Sequence, residues 1–171
     1  MATINSNNIK RDWIRISLFA QIALVVYFQI IVWFPLGEWN HQQGFSPLVL
    51  QAANGQLQIG DIALALAFTL PVFFFYLAYR KQYVWLIWMC LIGYCIWLVL
   101  QFKTWWLAYI FGASDSWYKI YRRVFSESTK LLPSFGRHLA PDAMHLVLQL
   151  LLLLVVFSLS IGVIQRRHNK K

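Results

Sequence analysis

The sequence predicts an all-α integral membrane protein whose four transmembrane helices form a bundle, and three observations lead there. Of its 171 residues, 60% are hydrophobic, 18% aromatic and only 12% charged, too little polar side chain to coat a water-soluble globule of this size. Four apolar stretches, at about 16–34, 62–79, 83–102 and 144–164, reach the roughly 17 to 25 helical residues that cross a hydrocarbon core of about 30 Å. No Lys or Arg lies within these stretches, and most of them flank the ends. Residues 1–171 therefore read as a single membrane domain with connecting segments 35–61 and 103–143.

The first stretch follows Lys10, Arg11 and Arg15. Its apolar run is longer than a signal-peptide core and no small-x-small cleavage site follows it, so it is expected to stay as an anchor. In the segment after it, Ser46-Pro47 fits an N-cap and first helical position and Asn54-Gly55 fits a stop, which predicts a short helix between them. A hairpin around Asn54-Gly55 is the rival, disfavoured because Val49 to Ala53 does not alternate. Asp61 is placed to cap the second stretch, and Pro71 to kink it after Thr69.

Arg80 and Lys81 occupy the tight turn into the third stretch. Cys90 and Cys95 inside that stretch are five residues apart and face different sides, so they indicate neither a disulfide framework nor a metal knuckle. Trp105 to Phe111 is apolar but too short to cross again, so the third helix should run on out of the bilayer to Gly112, with Lys103 snorkelling to the surface. Trp13, Trp33, Trp85, Trp88, Trp105 and Trp106 lie near stretch boundaries, where indole rings favour the headgroup level.

Beyond Gly112, Ser114, Asp115 or Ser116 can cap a helix in which Trp117, Ile120, Tyr121, Val124 and Phe125 recur at helical spacing. Lys119, Arg122 and Arg123 fall largely on the other side. That is the pattern of a basic amphipathic helix lying in a membrane interface against anionic headgroups, although a helix packed on the protein's own core has the same period. The fourth stretch holds fifteen Leu, Ile, Val or Phe residues, each favouring insertion by about 0.3 to 0.6 kcal/mol, against only His145, Gln149, Ser158 and Ser160.

Orientation follows from the cations. Lys10, Arg11, Arg15, Arg80, Lys81, Arg166, Arg167, Lys170 and Lys171 flank one side of the predicted membrane, and segment 35–61 has no Lys or Arg. The positive-inside bias then places both termini in the cytoplasm. Segment 103–143 goes outside despite Lys103, Lys119, Arg122, Arg123, Lys130 and Arg137, and this basic external segment is what needs a functional explanation.

Candidate chemistry is sparse. Read as one helix, His138, Asp142 and His145 share a face at i, i+4 and i+7 and offer two imidazoles and a carboxylate to a divalent metal. Pro141 argues against that, since it suits the first turn of a helix and leaves His138 in the preceding loop, with Asp142 stabilising the positive helix end. Glu38 and His41 could complete such a site from the other external segment. No Gly-rich phosphate loop, nucleophile elbow or Cys-x-x-Cys pair occurs, and no cofactor is expected.

Gln21, Gln29, Thr69, Gly93 and Gln149 read as helix-to-helix contacts. No Asp, Glu, Lys or Arg lies deep in a stretch, which disfavours a coupled transporter or selective channel. The net charge of +9 is spread along membrane flanks, so anionic lipid is the expected partner and nucleic acid is not.

The expected function is that of a non-catalytic membrane subunit or accessory protein in a bacterial cytoplasmic membrane, associating with another membrane protein or with itself. Its external face would bind anionic lipid, a lipid-linked anionic polymer or a partner through Arg122, Arg123, Lys119, Trp117, Trp39 and His41. The alternative is an enzyme acting on a lipid phosphate or acyl group at the outer surface, with His138, Asp142 and His145 binding metal or moving protons.

Overall fold

The computed structural model of the protein describes residues 6–40, 46–81 and 83–168, and among these it is all-helical, with no strand. Helix α1 spans Ser6–Trp33, α2 Leu48–Ala53, α3 Ile59–Ala67, α4 Leu70–Lys81, α5 Val84–Gln101, α6 Leu107–Phe111, α7 Asp115–Val124 and α8 Ala143–His168. A 3₁₀ turn lies at Gly37–Trp39, and a π-helical turn at Phe102–Trp106 joins α5 to α6. Four helical runs, Trp13–Trp33, Ile59–Lys81, Val84–Phe111 and Ala143–Gln165, are long and apolar enough to cross a membrane, the pattern of a multi-pass membrane protein.

The most apolar helix is also the most enclosed. Of its most apolar window, 44% is buried inside the protein, against 17% for Val84–Phe111, so α8 is the element on which the others pack. Leu148, Leu152, Val155 and Leu159 of α8 share one core with Ile14 and Leu24 of α1, Phe75 of α4, and Ile87 and Leu91 of α5. At Gly162 a Cβ would stand 2.9 Å from Ile14 Cγ1, so the close approach of α8 to α1 depends on that missing side chain. Gly93, expected at a contact, has nothing within 4 Å of its Cβ position.

Two sets of polar side chains within the long helices are paired across them. Tyr94 of α5 donates to Gln21 Oε1 of α1 at 3.1 Å, and Gln21 in turn donates to Ser17 Oγ. Helix α3 ends at Ala67, before Pro71, because the Thr69 amide bonds Leu66 O at 2.9 Å. That shortened turn frees the Ala65 carbonyl, which accepts Gln29 Nε2 of α1 at 2.7 Å. A backbone acceptor left over at a helix break inside an apolar layer must find such a donor.

Helix ends follow local chemistry. Asn40 closes α1 by donating to Ile31 O and Phe34 O while accepting from Leu36 N, a cap the sequence reading missed. Pro47 precedes α2 directly, and Gly55 follows it at φ +67. Asp61 lies within the first turn of α3, and Gln58 holds the cap position instead. Gly112, at φ +88, stops α6, a backbone region that L side chains rarely adopt. Ser114 Oγ then accepts from Trp117 N at 3.3 Å to start α7.

Candidate functional site

At the end of the molecule where α8 begins, a second core forms outside the long-helix contacts. It consists of Trp105, Ala108, Ala113, Tyr121, Phe125 and Leu139, and we call the unit that it holds together the cap. The π turn at Phe102–Trp106 widens the helix by one residue, and in it Trp105 is turned inward to 3% exposure while Lys103 stays exposed. Trp105 is thus a core residue and not a headgroup-level belt residue. Its indole meets Trp117 at 5.7 Å and Phe125 at 5.1 Å edge-on, the arrangement in which ring quadrupoles attract.

Beneath this roof lies a largely buried pair of titratable side chains. Asp142, fully buried, accepts His145 N at 2.8 Å and His145 Nδ1 at 2.7 Å through the same Oδ1, capping α8 and fixing the imidazole in one step. The imidazole lies between Trp105, with ring centroids 4.3 Å apart, and Phe125 at 5.8 Å, and keeps 18% of its side chain exposed. The other carboxylate oxygen, Oδ2, is buried with no hydrogen-bond partner.

Three segments meet at this pair. Lys130 and Asp142 form an isolated antiparallel bridge, Ala143 N donates to Thr129 O, and Thr129 N donates to Glu38 O, so Glu38 joins the cap through its backbone. Lys130 Nζ donates to the carbonyls of Phe125, Ser126 and Ser128 and stands 5.7 Å from the Tyr121 ring centre. Trp39 Nε1 donates to Tyr27 OH, which donates to Met144 O. Trp106 Nε1 donates to Gln149 Oε1 at 2.7 Å, tying the Val84–Phe111 run to α8 one turn beyond His145.

Tyr121 OH donates to Ala140 O at 2.6 Å. Burial, opposed by a hydrogen bond with Ser134 and aided by the Asp142 charge, pushes its phenol from 10.0 up to about 12. Because the protonated form is the one favoured by folding, the contribution is complete below pH 10 and is lost as the pH rises through about 12.

Of the residues singled out by sequence, Asp142 and His145 come together and His138 does not join them: its Nδ1 lies 2.9 Å from Tyr109 O. Among the described residues no three His, Cys, Asp or Glu side chains gather as a group that could hold a metal ion. Trp117 and Trp39 are both partly buried and engaged inside the cap. His41 lies outside the described residues.

Lys119, Arg122 and Arg123 are exposed and form no ion pair with a described residue, whereas Arg137 is paired with Asp115 at 2.5 Å. The aromatic side of α7, which periodicity left open to a membrane interface or to the protein's own core, is covered by the protein itself, and Ile120 is on the exposed side. Sequence reading gave Tyr27 and Lys130 no structural role, and it made Trp105 a belt residue where the structure buries it. Compared with protein-family models, with curated proteins and with solved structures, the chain matches none.

Proposed function

We propose that the protein is a non-catalytic membrane subunit or accessory protein, a four-helix bundle with both termini cytoplasmic and the cap outside. The cap presents Lys119, Arg122 and Arg123 to phosphate or carboxylate groups of an anionic lipid, a lipid-linked anionic polymer or a partner membrane protein. The single observation that carries this is the division of α7: Tyr121 and Phe125 are locked into an aromatic core, and the unpaired cations face away from it. A helix fixed on one side holds the backbone that carries its guanidinium groups, which leaves only the side chains to be ordered on binding, and guanidinium forks bind phosphate in a bidentate manner.

Replacing Arg122 and Arg123 together by Gln is expected to lower co-purification of anionic lipid or of an associated membrane protein about tenfold, the change that a loss of about 1.4 kcal/mol produces, since two exposed ionic contacts contribute up to about 1 kcal/mol each. Unchanged retention of both overturns the reading. The topology has its own test. A cysteine introduced by Lys119→Cys should react with a membrane-impermeant maleimide on intact cells, and protection until the cells are opened would invert the orientation.

An enzyme at the outer surface is favoured by one observation, the Asp142–His145 pair, whose geometry leaves Nε2 as the ring atom able to accept a proton. The imidazole meets Asp142, Trp105 and Phe125, whereas Arg122 and Arg123 are exposed on α7.

A further inference from the structure

Two lobes of an apolar cleft, about 290 and 410 Å³, meet where α3 gives way to α4. Both are lined by Ala67, Pro71, Tyr94 and Trp97. One reaches Leu24 and Phe28 of α1, and the other reaches the exposed side of α5 at Met89 and Gly93. The opening has two causes already described: the helix run is broken at Phe68–Thr69, and Gly93 leaves space beside it that no neighbour fills. In a layer with no water, a slot lined by apolar and aromatic side chains takes hydrocarbon.

The same side of α5 carries a charge at its far end. Met89, Ile92, Ile96, Val99 and Lys103 recur at helical spacing and are all exposed. Lys103 lies nineteen residues beyond Val84, about 28 Å at 1.5 Å per residue, so a helix that enters the hydrocarbon at Val84 brings this ammonium to the opposite boundary. No described residue forms an ion pair with it. Gly93 is ten residues below, about 15 Å, half of a hydrocarbon core of about 30 Å, so the slot lies at the depth that the end of an outer-leaflet acyl chain reaches.

We infer that the cleft and Lys103 together form a binding site for one anionic phospholipid of the outer leaflet, with a hydrocarbon chain in the slot beside Gly93 and Trp97 and its phosphate at Lys103. The inference rests on the orientation proposed above but not on Arg122 and Arg123. An ammonium near hydrocarbon is stabilised by a phosphate partner, and the charge selects anionic over zwitterionic headgroups while the slot supplies affinity. A lipid held there covers a part of the α5 surface that otherwise has only bulk lipid against it.

The test uses purified protein in micelles containing equimolar phosphatidylglycerol and phosphatidylcholine, weighed by native mass spectrometry. The wild type should carry one phospholipid, predominantly phosphatidylglycerol. Gly93→Leu, which fills the slot, should lower the retained fraction about fivefold, whereas Val99→Phe on the same face outside the slot should not. Lys103→Gln, an exposed change that spares the fold, should keep the lipid but bring its composition to that of the micelle.

Retention unaffected by Gly93→Leu overturns the proposal and leaves the slot as a seat for a partner's helix. A headgroup preference that survives Lys103→Gln, or a wild type carrying no lipid, overturns it as well. If the phosphatidylglycerol is lost on replacing Arg122 and Arg123 and not on filling the slot, the cap reading stands and this one falls. The reverse pattern separates them the other way.

Discussion

Trp105→Ala is expected to open the cap while the four long helices stay folded together. The indole is 3% exposed and contacts Trp117, Tyr121 and Phe125 edge-on and His145 at a tilt of 38°, so its removal leaves a cavity bordered by four rings. A buried Trp or Phe truncated to Ala costs about 3–5 kcal/mol. The indole belongs to the cap core and not to the long-helix core, so most of that cost falls on the cap, the contact with His145 at the start of α8 taking the rest. An opening equilibrium shifted by 3 kcal/mol changes about a hundredfold. Limited proteolysis in detergent should therefore show cleavage within residues 126–137 rising by that order, with fragments still held together by the long helices. Trp106→Phe, which forfeits one indole bond to Gln149 and little volume, is the matched control. Equal proteolysis of the Trp105→Ala protein and wild type would mean that the aromatic cluster does not hold the cap closed.

What could be read in advance was whatever is local. Hydrophobic length gave the four runs because spanning helices must satisfy their backbone internally, and that demand writes itself into every residue. Gly112 as a stop was legible for the same reason, and so was a cap at Ser114, Asp115 or Ser116, of which Ser114 takes the position, since each acts on its own turn. Gln21, Gln29 and Gln149 were readable as contacts because an amide in an apolar layer must be bonded to something. Their partners were not readable.

The cap shows where local reading stops. Trp105 and Trp106 follow one another at a span boundary, and position alone made both of them belt residues. The π turn, which no single residue dictates, places one in a core and bonds the other to α8. Periodicity likewise marked an aromatic side on α7 without saying what covers it, and the cover comes from residues up to twenty positions away. Gly93 and Gly162 are equivalent in sequence terms, yet only Gly162 has a neighbour at its Cβ position. The Asp142–His145 pair was accessible in part: Pro141 put the helix start in the right place, while the stacking of His145 on Trp105 depends on the π turn.

Asp142→Ala sets the cost of a buried carboxylate against what it holds. The residue is fully buried, and Oδ2 has no partner, so the charge is poorly compensated. Against that, Oδ1 satisfies the His145 amide at the first turn of α8 and fixes the imidazole that Trp105 and Phe125 enclose. Loss of an N-cap acceptor costs about 0.5–2 kcal/mol, and loss of a hydrogen bond to a charged group about 1.5–3 kcal/mol. These exceed what relief of one orphaned oxygen returns, roughly 1–3 kcal/mol, only if the ring and the helix start are both released. Asp142→Ala should thus be destabilised by about 2 kcal/mol in denaturant unfolding in detergent, and Asp142→Ser, which restores a cap acceptor without the charge, should recover about half of that. The order wild type, Ser, Ala identifies the carboxylate as the fastening between the cap and α8. An Ala protein as stable as wild type or more so would show that the charge is held there against the interest of the fold, and a protein keeps such a group for what its free oxygen binds.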